Sequence, residues 1–176
     1  MDDHDFERAA RRWQRRIFTF AAYTLGNVVE AEEVTQDVLL RLWRHPEMLG
    51  ADRLESWLLR VTRNLCIDRF RSLRSQERVF EHRSSADDAE THVDRGPTPE
   101  RAAAAAQLRR HIAVALSRLP EPQRSVVILR EVHGLSYDDI ADAVQISPAN
   151  VKVSLHRGRR RLRERLQEVH DHVVAV

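Results

Sequence analysis

Cysteine and lysine are almost missing from this chain. Among 176 residues the single cysteine is Cys66, which excludes an intrachain disulfide scaffold and any zinc or iron–sulfur site built from several cysteines. Of 29 basic residues, all but Lys152 are arginine. Arginine keeps its charge at any cellular pH and grips phosphate with a planar fork. Five glycines and six prolines are too few for the repeated tight turns of an all-β fold. No apolar run approaches the roughly 20 residues that span a membrane. The start, Met1-Asp2-Asp3-His4-Asp5, is acidic and lacks the basic-then-apolar layout of a secretory signal. These absences predict a reduced, cytoplasmic protein without membrane insertion.

What is present is charge, strongly segregated beneath a formal balance of +2. Arg60 to Arg78 carries six arginines against Asp68 and Glu77, and Lys152 to Arg165 carries seven bases against Glu164. Between these blocks, Glu77 to Glu100 holds seven acids against Arg78, Arg83 and Arg95. Two anion-binding surfaces joined by an acidic strap would produce this pattern, and so would two solvated helix faces.

The apolar spacing is helical on both sides of the strap. Val34, Val38, Leu39 and Leu42 recur at helical intervals, with Glu33, Gln36, Asp37 and Arg41 between them. Pro46 and Gly50 punctuate the end of that helix. Ser56 to Arg74 contains neither glycine nor proline and carries Trp57, Leu58, Val61, Leu65, Ile67 and Phe70. Trp43 and Trp57 are expected in the core. Further on, Leu108, Ile112, Ala115, Leu116 and Leu119 mark a helix stopped by Pro120, and a second helix runs from about Pro122 to Val132. The expected fold is all-α: two small helical domains, at 1–75 and 104–176, joined by a flexible acidic linker at 76–103 without regular structure beyond a turn or two.

The most specific local pattern lies at 136–163. Ser136-Tyr137-Asp138-Asp139 is a variant of the capping box, opening a helix with Ile140, Ala141 and Val144 inward. Gln145-Ile146 makes the turn, and Ser147 then caps a helix with Pro148 at its first position. That second helix buries Val151, Leu155 and Leu162, and Gly158 allows close packing. Its outer face presents Asn150, Lys152, Val153, His156, Arg157 and Arg160. Two helices, a tight turn and a polar, basic outer face suit a DNA-binding helix-turn-helix, with Arg159 to Arg165 placed for phosphates. An ordinary helical hairpin with a solvated basic face is the alternative.

Leu119-Pro120-Glu121-Pro122-Gln123-Arg124, Gly134-Leu135-Ser136-Tyr137-Asp138-Asp139-Ile140-Ala141 and Leu155-His156-Arg157-Gly158-Arg159-Arg160-Arg161-Leu162 resemble region four of the ECF (group IV) RNA polymerase sigma factors. Ala31 to Trp43 and Ser56 to Asp68 resemble their region two, in the right order. The resemblance implies a subunit that binds core polymerase and directs promoter-specific initiation through −10 and −35 elements. Glu33, Gln36, Asp37 and Leu40 would meet the clamp helices of the largest subunit. Arg60, Arg63, Asn64, Asp68 and Arg71 would take the melted −10 element. Asn150, Lys152, Val153, His156, Arg157 and Arg160 would read −35 in the major groove, while the apolar surface of region four meets the polymerase flap. Val153 and Ser154 stand where the family usually has serine and arginine, Gln145 where the turn usually carries glycine, and Thr35 replaces an aliphatic residue.

The resemblance further implies an anti-sigma partner and a linker whose Asp87, Asp88, Glu90 and Asp94 thread toward the polymerase cleft. No His-Glu-x-x-His helix or Gly-rich phosphate loop points to an enzyme, a metal or a cofactor. His170-Asp171-His172 is expected in a frayed polar tail. Two other readings explain part of the pattern: a dimeric helix-turn-helix regulator acting without polymerase, and a helical adaptor that binds protein alone.

Overall fold

The computed structural model describes residues 3–79 and 99–174. Among them there are seven α-helices and no strand. The N-terminal half holds α1 (Asp3–Leu25), α2 (Val28–Arg44) and α3 (Leu54–Val79), with a 3-10 turn at Pro46–Met48. The C-terminal half holds α4 (Pro99–Ser117), α5 (Gln123–Val127, continued by a π turn at Ile128–Val132), α6 (Tyr137–Val144) and α7 (Pro148–Val174).

Local chemistry accounts for the boundaries. Asn27 caps α2 through its side-chain oxygen, which accepts from the Glu30 N–H at 3.2 Å. Pro46 has no N–H to continue the ladder, so α2 ends at Arg44 and the chain tightens into the 3-10 turn. The buried stripe of α2, Ala31, Val34, Val38 and Leu42, packs on Ile17, Phe20 and Ala21 of α1 and on Leu58 and Leu59 of α3. Thr35 fits this core because its hydroxyl donates to the Ala31 carbonyl at 2.7 Å.

Three expectations are corrected. The helices run into the strap: 76–79 belongs to α3 and 99–103 to α4, since Gln, Glu, Arg and Ala are good helix formers. The remaining acidic linker, with Asp87, Asp88, Glu90 and Asp94, lies outside the described residues. The segment carrying His170-Asp171-His172 is helical backbone continuous with α7. Trp43 is 42% exposed and meets the Phe6 ring edge-on at 4.9 Å, whereas Trp57 is half-buried against the core.

The two halves pack together. α4 lies on α1, α6 lies on α3, and one apolar cluster runs from Ile17 and Phe20 to Leu116, Ile128 and Leu129. Polar ties cross the same boundary: Arg16 donates to the His133 carbonyl at 3.0 Å, and Arg53 lies 3.5 Å from Asp142. Each half is near the size at which a core is marginal alone, so mutual burial adds apolar area that neither could bury by itself.

Candidate polymerase and nucleic-acid interfaces

The outer face of α2 brings the four expected polymerase residues into one stripe. Glu33 and Gln36 are exposed, Asp37 is half-buried, and Leu40 is 54% exposed. Gln36 also lines a cleft of about 420 Å³ between α1 and α2, with Arg11, Phe18 and Leu39. An exposed leucine among carboxylates and an amide is a surface that gains from burial against a partner. Arg69 of α3 was not anticipated here. Its guanidinium lies 3.0 Å from Glu30, 2.5 Å from Glu33 and 3.6 Å from Asp37. The hydrogen bond that Arg69 donates to Glu33 heads the influences that hold the Arg69 pKa above its ordinary value. Sequence offered a signal for this pairing only as an acidic α2 facing a basic α3; the register that selects Arg69 is tertiary.

On α3 the expected −10 residues divide. Arg60, Asn64, Asp68 and Arg71 recur every three or four positions and share one stripe, with Asn64, Asp68 and Arg71 exposed. Arg63 lies on the neighbouring stripe with Cys66 and Phe70, turned toward the C-terminal half, where it pairs with Glu121 at 3.4 Å. Cys66 is completely buried, and burial pushes its thiol pKa well above the ordinary value.

The helix-turn-helix is built as its caps dictate. Ser136 Oγ accepts from the Asp139 N–H at 3.1 Å, and Ser147 Oγ accepts from the Asn150 N–H at 3.2 Å. Gln145 takes the left-handed turn conformation at φ 61°, ψ 46°, and its side-chain amide donates to the Asp142 carbonyl at 2.7 Å. Val151, Ser154, Leu155 and Gly158 face inward, and the substituted Ser154 is therefore off the reading surface. Asn150, Lys152, Val153, His156, Arg157 and Arg160 are all exposed on the outer face of α7. Three of the bases assigned to phosphate have partners within the domain: Arg159 with Glu131 at 2.6 Å, Arg160 with Glu164 at 3.7 Å and Arg161 with Gln123 at 3.0 Å. Arg130 was also missed; it donates to the Leu135 carbonyl at 2.6 Å and lies over the Tyr137 ring, bracing the entry to α6.

Among the described residues no group of His, Cys, Asp or Glu is placed to hold a metal ion, and no helix is long and apolar enough to cross a membrane.

Comparison with known proteins agrees with this layout. Residues 9–76 match Sigma-70 region 2, and residues 109–162 match Sigma-70, region 4. The ECF RNA polymerase sigma factor SigL of Mycobacterium tuberculosis is 36% identical over 165 residues, covering 93% of this chain and 86% of that protein. SigW of Bacillus subtilis is 28% identical, covering 89% of this chain and 86% of its own length. SigE of Mycolicibacterium smegmatis is 29% identical, and the chain spans 61% of its length. The sigma factor RpoE of Bartonella quintana, solved with the anti-sigma factor NepR, shares the fold at a TM-score of 0.71 and 23% identity, over 93% of this chain and 97% of that one. With both sigma regions in order and a relative above 30% identity matched over 86% of its length, the chain belongs to the ECF RNA polymerase sigma factors, the subunits that direct promoter-specific transcription initiation.

Proposed function

We propose that this chain works by binding alone, as a cytoplasmic subunit that performs no chemistry, with 1–75 holding polymerase and −10 DNA and 104–176 holding −35 DNA. The observation that carries the division of labour is the outer face of α7, where six expected base and backbone contacts are exposed together on a capped helix-turn-helix. The first residues of such a helix meet base edges, and later arginines meet phosphates. Asn150 and Lys152 supply donors for base edges, Arg157 a fork for guanine, and Arg160 a backbone contact. On α3, Asn64 and Arg71 offer an amide and a guanidinium to unstacked −10 bases and their phosphates. The exposed α2 stripe from Glu33 to Leu40 supplies the clamp contact, and the apolar surface of the C-terminal half meets the flap.

An anti-sigma factor is the natural antagonist. The solved neighbours include RpoE with NepR and CnrH with the cytosolic domain of CnrY, and the exposed Leu40 and Trp43 of α2 suit an apolar partner.

The test is transcription of the source genome in vitro by sigma-free core polymerase with the purified chain added. Discrete RNA starts preceded by shared −35 and −10 motifs are expected. Absence of chain-dependent starts, with duplex binding by the chain alone, would establish a dimeric regulator instead.

A further inference from the structure

We infer that Val153 reads a thymine of the −35 element through its C5-methyl group, so that promoter choice by this chain rests in part on an apolar contact. The inference deepens the reading of α7 as the −35 helix and depends on it.

The placement of Val153 carries the argument. Val151, Ser154, Leu155 and Gly158 turn one face of α7 toward its own domain. Helical geometry puts Ala149, Val153, His156 and Arg160 each within about 30° of the opposite direction, and Lys152 and Arg157 about 70° to either side of it. The outward midline of the helix thus begins with two apolar side chains one turn apart, with a cation on each flank. Both are exposed, Val153 at 46%. They lie in the first two turns of α7, the part of a recognition helix that meets base edges.

A helix seated in the major groove points its midline at the bases and its flanks at the phosphates. Among the groups that distinguish bases there, the thymine methyl is the apolar one; the others donate or accept hydrogen bonds. Val153 can do neither. Against a polar base edge it would displace water and return no hydrogen bond, whereas against the methyl both apolar surfaces leave water. Serine, usual here in the family, hydrogen-bonds to several bases, and valine exchanges that tolerance for a methyl contact. A protein partner fits this surface less well. Val153 is the one large apolar side chain exposed among the described residues of α7, ringed by Asn150, Lys152, His156 and Arg157, while apolar docking patches are contiguous.

The experiment uses core polymerase loaded with the full chain and a promoter fragment found by mapping its RNA starts. Each thymine of the −35 element, on either strand, is replaced in turn by uracil, which keeps the base pairing and removes only the methyl. Equilibrium binding of the loaded enzyme to each fragment is the readout. At one position uracil should weaken binding about threefold, the effect of exposing about one methyl group. Val153→Ala and Val153→Ser should weaken binding to the unsubstituted fragment by a similar factor and show no uracil penalty at that position. Because Val153 is exposed, helix content by circular dichroism should match the parent. A −35 element without an A·T pair, uracil tolerated at every position, or a penalty that both variants retain overturns the inference. Arg157→Ala separates it from the −35 reading itself. If that variant weakens promoter binding while uracil is tolerated throughout, α7 still holds −35 DNA and only the methyl contact fails. If neither Arg157→Ala nor Val153→Ala alters binding, or no chain-dependent start is found, the −35 assignment fails and the inference falls with it.

Discussion

Gly158 lies directly against Val127: a β-carbon at position 158 would come within 2.6 Å of the valine Cγ2 and 3.3 Å of the Gln123 carbonyl. Val127 is buried and β-branched, so it has little freedom to turn aside. Alanine is the better helix former by about 1 kcal/mol, yet overpacking costs about 1–3 kcal/mol. Gly158→Ala is expected to lower stability by about 1–2 kcal/mol net, read as a fall in the urea midpoint. An unchanged or higher midpoint would show that α5 and α7 separate without cost.

Gln145 supports the opposite prediction. Its left-handed backbone is one that glycine adopts without strain. Gln145→Gly loses the exposed hydrogen bond to Asp142 but relieves the turn, so stability should rise by about 0.5 kcal/mol. Thermal unfolding of the full chain checks the sign.

Arg157→Ala should weaken −35-dependent initiation by about 1–3 kcal/mol, the range of a base-contacting pair. Run-off transcription at limiting protein, on a promoter identified by start mapping, makes the measurement. Equal yields from variant and parent would remove Arg157 from the reading surface. Arg159→Ala is expected to act differently, loosening its tie to Glu131 and lowering stability more than promoter discrimination.

His133 gives a pH dependence with a definite sign. Burial, reinforced by the Arg16 charge, lowers its pKa from 6.5 to about 4, and Nε2 is buried without a partner. Between these values the unfolded chain binds a proton that the folded chain does not, so stability rises with pH across this window. The contribution is complete above about pH 6.5 and is lost as pH falls toward 4, at about 1 kcal/mol per unit. Comparing parent with His133→Gln at pH 7 and pH 5 should show a smaller loss in the variant. Parallel losses would place the sensitivity in other groups.

The elements were legible where their determinants are local. Ser136, Ser147, Pro148 and the apolar spacing of α2 and α7 act within one or two turns, and each sits where its chemistry predicts. The outer face of α7 followed directly from that periodicity. The exposure of Trp43 did not, because a large aromatic at a helix edge meets the core or solvent according to its neighbours. Arg69 and Arg63 were illegible for a related reason. Their partners lie on α2 and in the turn before α5, and sequence spacing carries no information about which arginine of a basic block meets which acid. Helix propensity through Glu77 and Arg78 was readable, but the acidic composition around it suggested a loop.

The extension of α3 to Val79 and the start of α4 at Pro99 shorten the connecting chain to residues 80–98. Covalent geometry allows such a segment no more than about 65 Å when fully drawn out. Duplex DNA advances about 3.4 Å per base pair, so this tether spans at most about nineteen base pairs. Each residue that folds into a flanking helix exchanges an extended step for a rise of about 1.5 Å. The helix ends thus act as the stops of a measuring tape: lengthening either one would lower the greatest separation that the chain between them allows.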